Sequence, residues 1–296
     1  MAIKLDLNIQ LSPIQVEVCT ERNIQLRLLR LDQIHPAVSG NKWFKLSQYL
    51  QAVQAGKYRG ILTFGGAYSN HLVATAAACH YHNIPCTGFV RGEEGASHPT
   101  ESLRECLQWN MELQFLSRTE YRLKDDPIFL KQLQQRYPQH LVIPEGGYGQ
   151  DGIEGAGIIH QYIPAGTDII AVAVGSGTTL MGIINKLTAK QQAIGFAAIK
   201  QGDYLKDTIR QHCSNTNWQL ETAYHFGGFG KYSPALIEYI RAFREQQGIT
   251  LDFVYTAKMM MGLLDCIEKY QWQDKQIVAV HTGGLQGNRS IQHLLR

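Results

Sequence analysis

Short runs that are apolar throughout alternate along this chain with longer stretches whose apolar residues return every three or four positions. "GILTFGG" (Gly60 to Gly66) leads into the helical pattern of "SNHLVATAAACHYHN". "IPCTGFVRG" follows as the next strand, with a helix predicted from about Ser102 to Met111. After Gly152 the alternation resumes with helix-like "GIEGAGIIHQYI", strand-like "DIIAVAVG", helical "TTLMGIINKL" and strand-like "QAIGFAAI". "DFVYT" reads as a further strand, Lys258 to Tyr270 as a helix and "QIVAVHTGG" as the last strand. Apolar runs of strand length between helices of ten or more residues are the signature of βαβ units and parallel sheets, so the fold class is α/β. The two series are separated by "EYRLKDDPIFLKQLQQRYPQHLVIPEGGYGQDG", whose glycine-rich end is the candidate crossing between two lobes. The cleft between such lobes is the expected active site.

Composition narrows the partners. With 44% hydrophobic and 18% charged residues among 296, the chain can build one large or two ordinary domains and has no disordered tract. Its 28 basic and 25 acidic residues are interspersed, so there is no patch for nucleic acid or an anionic membrane, and a small-molecule partner is expected. "MAIKLDLNIQLSPIQVEV" at the amino terminus lacks a long apolar core, and no later stretch reaches the roughly 18 apolar residues of a membrane span. A cytoplasmic protein is expected. Cys19, Cys79, Cys86, Cys106, Cys213 and Cys266 are scattered without the two-residue separation of zinc or redox pairs and read as reduced thiols. His80 and His82 lie at strand spacing in a polar turn, and no metal is expected.

Three loops sit where strands end. "AVAVGSGTTLMG" (Ala171 to Gly182) runs from a β-branched strand into Gly175, Ser176, Gly177, Thr178 and Thr179. Successive amides and hydroxyls at such a turn suit a phosphate dianion, although a plain tight βα turn uses the same glycines. A dinucleotide fingerprint would need glycine at Leu180, and a triphosphate loop would need Gly-Lys before the hydroxyls, so a phosphomonoester is favoured. In "TFGGAYSNH" (Thr63 to His71), Ser69 and Asn70 either cap the next helix or grip a small anion such as an amino-acid carboxylate. "VHTGGLQG" (Val280 to Gly287) ends the last strand, and the three loops are expected to converge.

"VSGNKWFKL" (Val38 to Leu46) holds two lysines three residues apart. A nucleophilic lysine must be neutral when it attacks, which requires a pKa below the ordinary value of about 10.4. If Ser39 or Asn41 caps a helix, Lys42 lies in its first turn near the positive end of the dipole, with Lys45 a second cation one turn away. Both effects favour a neutral amine. Solvated helix charges are the ordinary alternative. A candidate reactive lysine together with a phosphate loop points to pyridoxal phosphate.

The motifs "GNKWFK", "FGGAYSNH", "PEGGYGQDGIEG", "VGSGTTLMG", "YTAKMMMGL" and "HTGG", in this order, resemble the fold-type II pyridoxal-phosphate enzymes. Within them the sequence is similar to the group of 1-aminocyclopropane-1-carboxylate deaminase and D-cysteine desulfhydrase. The resemblance implies two open, twisted, mostly parallel sheets flanked by helices, as in the tryptophan synthase β chain. It implies a larger cofactor-binding domain of residues 1–50 and 152–296, a smaller domain of residues 51–151, and a homodimer. The chain's compactness relative to the family implies trimmed edge helices. Lys42 corresponds to the Schiff-base lysine, which in the family also moves the substrate proton. Asn70 corresponds to the partner of the cofactor's ring hydroxyl, Ser69 to a substrate-side hydroxyl, and Gly175 to Thr179 to the phosphate loop. Tyr255 matches a family tyrosine proposed as acid, base or nucleophile, and Thr256 lies at the pyridine nitrogen. His71, Lys231, Tyr232 and Thr282 complete the substrate side.

Thr256 and Thr282 replace the glutamate and leucine of the aminocyclopropane deaminases, so the likeness leans towards D-cysteine desulfhydrase. That reading implies a lyase that eliminates sulfide and leaves pyruvate and ammonia. Lys231 stands at or near the family's second active-site tyrosine, with Tyr232 next to it. Aminocyclopropane-carboxylate deamination, and cofactor binding without turnover, remain open alternatives.

Overall fold

The computed structural model describes residues 7–295, so the first six residues of the amino-terminal stretch lie outside it. Ten strands are present among these residues: β1 (Leu11–Pro13), β2 (Gln25–Arg30), β3 (Gly60–Gly66), β4 (Cys86–Arg91), β5 (Glu112–Leu116), β6 (His140–Ile143), β7 (Ile169–Val174), β8 (Gln192–Ala197), β9 (Trp218–Glu221) and β10 (Gln276–His281). The described chain divides into two compact units. His35–Val38 and Lys42–Gly155 form the smaller, while residues 7–34, Ser39–Asn41 and 156–295 form the larger.

The larger unit holds a six-stranded sheet in the order β1-β2-β10-β7-β8-β9, parallel except for β1 against β2. Every residue of β7 is buried, as expected for a central parallel strand covered on both faces. One face of this sheet packs with Leu236, Ile240, Phe243, Met259, Met260 and Leu263 of the helices Pro234–Gln247 and Thr256–Lys269.

The smaller unit holds a four-stranded, wholly parallel sheet in the order β5-β4-β3-β6. Residues 35–38, 42–50 and 152–155, expected in the larger domain, belong here instead. The helix Asn41–Gln54 buries Leu46, Tyr49, Leu50 and Val53 among Ile61, Leu72 and Val73, and that apolar stripe decides where it packs. The chain passes from the smaller unit to the larger for the last time between Gly155 and Ala156, after the expected glycine-rich stretch.

A second correction concerns "DFVYT". Residues 253–255 form a turn rather than a strand. Asp252 is wholly buried; its Oδ1 accepts the amides of Val254 (3.1 Å) and Tyr255 (2.7 Å), and its Oδ2 that of Thr256 (2.9 Å). One carboxylate thus satisfies the backbone donors at the start of the helix Thr256–Lys269, overriding the β propensity of Phe253, Val254 and Tyr255. Among the described residues no helix is long and apolar enough to cross a membrane.

Candidate functional site

In the larger unit, β7 runs through Gly175, Ser176 and Gly177 into the helix Thr178–Ile184. Gly177 takes φ +84°. A Cβ on Gly175 would stand 3.1 Å from Cε1 of Tyr255, so the phenol ring packs directly on this loop. The Ser176 and Thr178 hydroxyls share a hydrogen bond of 2.9 Å, and Thr179 Oγ1 accepts one of 2.8 Å from Asn41 Nδ2. Leu180, where a dinucleotide fingerprint would have glycine, is wholly buried, and a Cβ on Gly195 of β8 would come within 2.4 Å of its Cδ2.

The segment Ser39–Asn41 ties this loop to the one after β10. Gly40 N donates to Leu31 O at 2.9 Å and Asn41 N to Thr282 O at 3.2 Å. A Cβ on Gly40, whose φ is +69°, would lie 1.9 Å from Thr282 O. Only glycine permits so close an approach of two backbones. Ser39 Oγ donates to Asp32 O at 3.2 Å, and the Asn41 side-chain amide donates to Thr179. Lys42 falls in the first turn of the helix Asn41–Gln54. Two of the three loops expected to converge, those at Gly175–Thr179 and Thr282–Gly284, are thus joined through residues 39–41.

Tyr255 is half-buried and carries Phe229 against its ring, centroids 5.8 Å apart at 64°. Phe229 belongs to a glycine-rich loop held by the buried Lys258, whose Nζ donates to His225 O (2.9 Å) and Gly228 O (2.8 Å). Burial lowers Lys258 to about 8, against the opposing charge of Asp252. Lys231 is exposed, and so is Tyr232, whose ring meets Phe253 at 5.7 Å. From this loop Phe229 packs on Tyr255. Thr256 is wholly buried and Thr282 nearly so.

The third loop belongs to the smaller unit. Ser69 Oγ caps the helix Asn70–Tyr81 by accepting the Leu72 amide at 3.3 Å, the cap expected as one alternative; its own hydroxyl proton is left to donate elsewhere. Asn70 is half-buried and His71 is only 3% exposed. Lys42 is half-buried, while Lys45 is only 5% exposed and donates to Gly146 O at 3.2 Å. Burial and the charge of Lys42 hold the Lys45 pKa well below the ordinary lysine value. His71 is likewise held well below the ordinary imidazole value by burial, then by Lys42 and Lys45.

A base with a depressed folded-state pKa destabilises the fold increasingly as pH falls, because the unfolded chain binds the proton more tightly. Lys45→Met is therefore expected to raise stability most at acid and neutral pH. The gain should vanish towards the ordinary lysine value of about 10.4. Urea unfolding at several pH values checks this; a gain that grows with pH would contradict it.

Asp252, Lys258 and Phe229 were not singled out from the sequence, and Asn41 was considered only as a helix cap, not as a partner of Thr179. Only the glycines around Phe229 marked a loop of special conformation; Asp252 and Lys258 look like ordinary surface charges until their burial is known. Among the described residues no cluster of three or more His, Cys, Asp or Glu is arranged to hold a metal ion. The loop Gly175–Thr179 offers neutral hydroxyl donors and a glycine turn with no carboxylate among its residues, a donor set that fits a phosphate monoester.

Comparison with known proteins agrees with that chemistry. The family described as pyridoxal-phosphate dependent enzyme matches residues 20–283. A Pyrococcus furiosus protein provisionally named a 1-aminocyclopropane-1-carboxylate deaminase is 29% identical over 280 residues, covering 84% of this chain and 82% of its own. The bifunctional mitochondrial D-cysteine desulfhydrase/1-aminocyclopropane-1-carboxylate deaminase of Arabidopsis thaliana is 29% identical over 296 residues, covering 89% and 73%. The crystal structure of an ACC deaminase homologue shares the fold with a TM-score of 0.85 at 24% identity, covering 99% of this chain and 95% of that one.

Proposed function

Because this chain belongs to the family of pyridoxal-phosphate dependent enzymes, we propose that it is a lyase that converts D-cysteine to pyruvate, ammonia and sulfide. Bound pyridoxal phosphate supplies an aldehyde that condenses with amines and a conjugated ring that takes up the electron pair released at the α-carbon. Lys42 provides the protein amine. With its amine free, Lys42 Nζ would remove the α-proton of the substrate and hold it. Ser176, Thr178 and Thr179 would hold the phosphate, Asn70 the ring hydroxyl, and Ser69 the substrate carboxylate. Tyr255 and Thr282 would border the substrate, and Thr256 would be the partner of the ring nitrogen. On this reading the enzyme is a cytoplasmic homodimer.

The observation that carries the reading is the bond from Asn41 to Thr179. The side chain that orients a phosphate-loop hydroxyl belongs to the residue peptide-bonded to Lys42, so amine and anion site are fixed to one stretch of backbone. D-Cysteine is preferred because Thr256 is a buried neutral residue. A neutral partner leaves the ring nitrogen less protonated than a carboxylate would, which favours prompt loss of a β-substituent over accumulation of charge at the α-carbon. Ring-opening deamination of 1-aminocyclopropane-1-carboxylate is the second reading, supported by the names of the Pyrococcus and Arabidopsis relatives.

Borohydride reduction of the cofactor-loaded protein followed by peptide mass mapping tests the lysine. The cofactor mass is expected on the peptide containing Lys42, and the yellow colour is expected to be absent from Lys42→Ala. Attachment at Lys45 or Lys258, the two buried lysines of lowered pKa, would overturn the assignment.

A further inference from the structure

β10 ends in His281, a wholly buried imidazole with a partner at each ring nitrogen. Nε2 lies 2.9 Å from Thr250 O, and Nδ1 lies 3.2 Å from Gly283 N. A carbonyl only accepts and an amide N–H only donates, so the ring's one proton sits on Nε2 and Nδ1 is a bare acceptor. The Asp32 carboxylate would attract a second proton to Nδ1, but its Oδ1 stands 3.9 Å away. Both of its oxygens are already engaged by Arg30, Oδ1 by Nε at 2.9 Å and Oδ2 by Nη2 at 2.7 Å. Thr250 O therefore fixes the tautomer, and the tautomer lets Nδ1 hold Gly283.

What Nδ1 holds is one edge of a peptide unit that is gripped on its other edge as well. The Thr282–Gly283 peptide gives its N–H to His281 and takes the Asn41 N–H on its carbonyl oxygen at 3.2 Å. On its flank, a Cβ on Gly283, whose φ is +76°, would lie 2.8 Å from Gly40 Cα and 2.9 Å from Ser39 Oγ. Asn41 in turn donates its side-chain amide to Thr179 Oγ1. We infer that His281 is a positioning residue of the candidate site. Its Nδ1 sets the plane of the Thr282–Gly283 peptide and, through the Thr282 carbonyl, the placement of Asn41 and of the Thr179 hydroxyl. On the proposed reading, in which Thr179 takes the phosphate and the residue after Asn41 is the reacting Lys42, His281 acts on both without touching either.

The two ends of the ring are unequal. The chain beyond Thr250 has its own brace: Asn288 Nδ2 donates to Leu251 O at 3.0 Å, and Asn288 Oδ1 accepts the Phe253 amide at 3.1 Å. Loss of the Thr250 bond therefore leaves that turn in place. Loss of the Gly283 bond frees the peptide on which Asn41 rests.

Two substitutions separate the ends. In His281→Asn the carboxamide oxygen falls near Nδ1, keeping the Gly283 bond and losing Thr250; in His281→Gln the amide reaches the Nε2 position, keeping Thr250 and losing Gly283. Each variant loses one buried bond, so each is expected to lower Tm by roughly 5 °C. Function is expected to divide them. His281→Gln should weaken pyridoxal-phosphate binding by the cofactor-stripped chain roughly tenfold and lower kcat/KM for D-cysteine roughly 10- to 100-fold, whereas His281→Asn should restore both to within about threefold of the parent. Amide hydrogen exchange in the full-length chain stripped of cofactor gives a readout independent of binding and turnover. The Gly283 and Asn41 amides should exchange at least about tenfold faster in His281→Gln than in the parent or in His281→Asn. Equal exchange in all three proteins, or losses of binding and of kcat/KM that match in the two variants, would overturn the assignment. A parent protein that neither binds pyridoxal phosphate nor releases pyruvate would defeat the proposed function, and exchange at Gly283 and Asn41 would still judge His281.

Discussion

Replacing Lys42 by alanine is expected to lower pyruvate release from D-cysteine by roughly 10³-fold or more while shifting Tm by only about 5 °C. The rate loss is large because one amine is asked both to form the covalent link and to move the α-proton. Stability should change little because Lys42 is half-buried, and its charge disfavours protonation of Lys45 and His71, a strain the substitution relieves. Lys42→Arg keeps the cation but is expected to be equally inactive, since a guanidinium stays protonated at any working pH. Appreciable turnover in Lys42→Arg would mean that residue 42 acts only through its charge.

Gly40→Ala is expected to destabilise the protein by about 3 kcal/mol or more and to weaken pyridoxal-phosphate binding at the same time. Its φ of +69° disfavours any Cβ, and that Cβ would fall 1.9 Å from the Thr282 carbonyl oxygen. Neither backbone can yield without breaking the bonds from Gly40 to Leu31 and from Asn41 to Thr282. Displacing Asn41 would also release Thr179, which the proposed function assigns to the phosphate. Ser39→Ala, which removes one bond to Asp32 O, serves as the mild comparison. Thermal unfolding with and without cofactor measures both effects; a Gly40→Ala protein with parental Tm would contradict the description of this junction.

How far the sequence revealed the fold follows from how each strand is buried. β3, β4, β7, β8 and β10 are buried along most of their length and read as continuous apolar runs. β5, β6 and β9, whose residues are mostly half-buried or exposed, gave no such signal; "ELQFL" of β5 follows directly on the predicted helix ending at Met111. "DFVYT" misled in the opposite direction, because nothing local shows that the Asp252 carboxylate will turn back onto three amides. The placement of residues 42–50 depended on which apolar face the helix stripe would meet, a tertiary choice.

The site followed the same division. The loop glycines and hydroxyls, the first-turn position of Lys42 and the Ser69 cap were readable because their chemistry is local. Asn41, Phe229 and the buried state of Lys45 depend on contacts with residues distant in the chain. Lys231 is exposed, and the aromatic partner of Tyr255 comes from Phe229, two residues earlier.

The most direct test of the central claim is release of a 2-oxo acid by the cofactor-loaded enzyme from D-cysteine, L-cysteine, D-serine and 1-aminocyclopropane-1-carboxylate, assayed side by side. The account predicts pyruvate with stoichiometric sulfide from D-cysteine at the highest kcat/KM, and loss of that activity in Lys42→Ala. Faster formation of the four-carbon oxo acid from 1-aminocyclopropane-1-carboxylate, or no product from any of the four with cofactor bound, would contradict it.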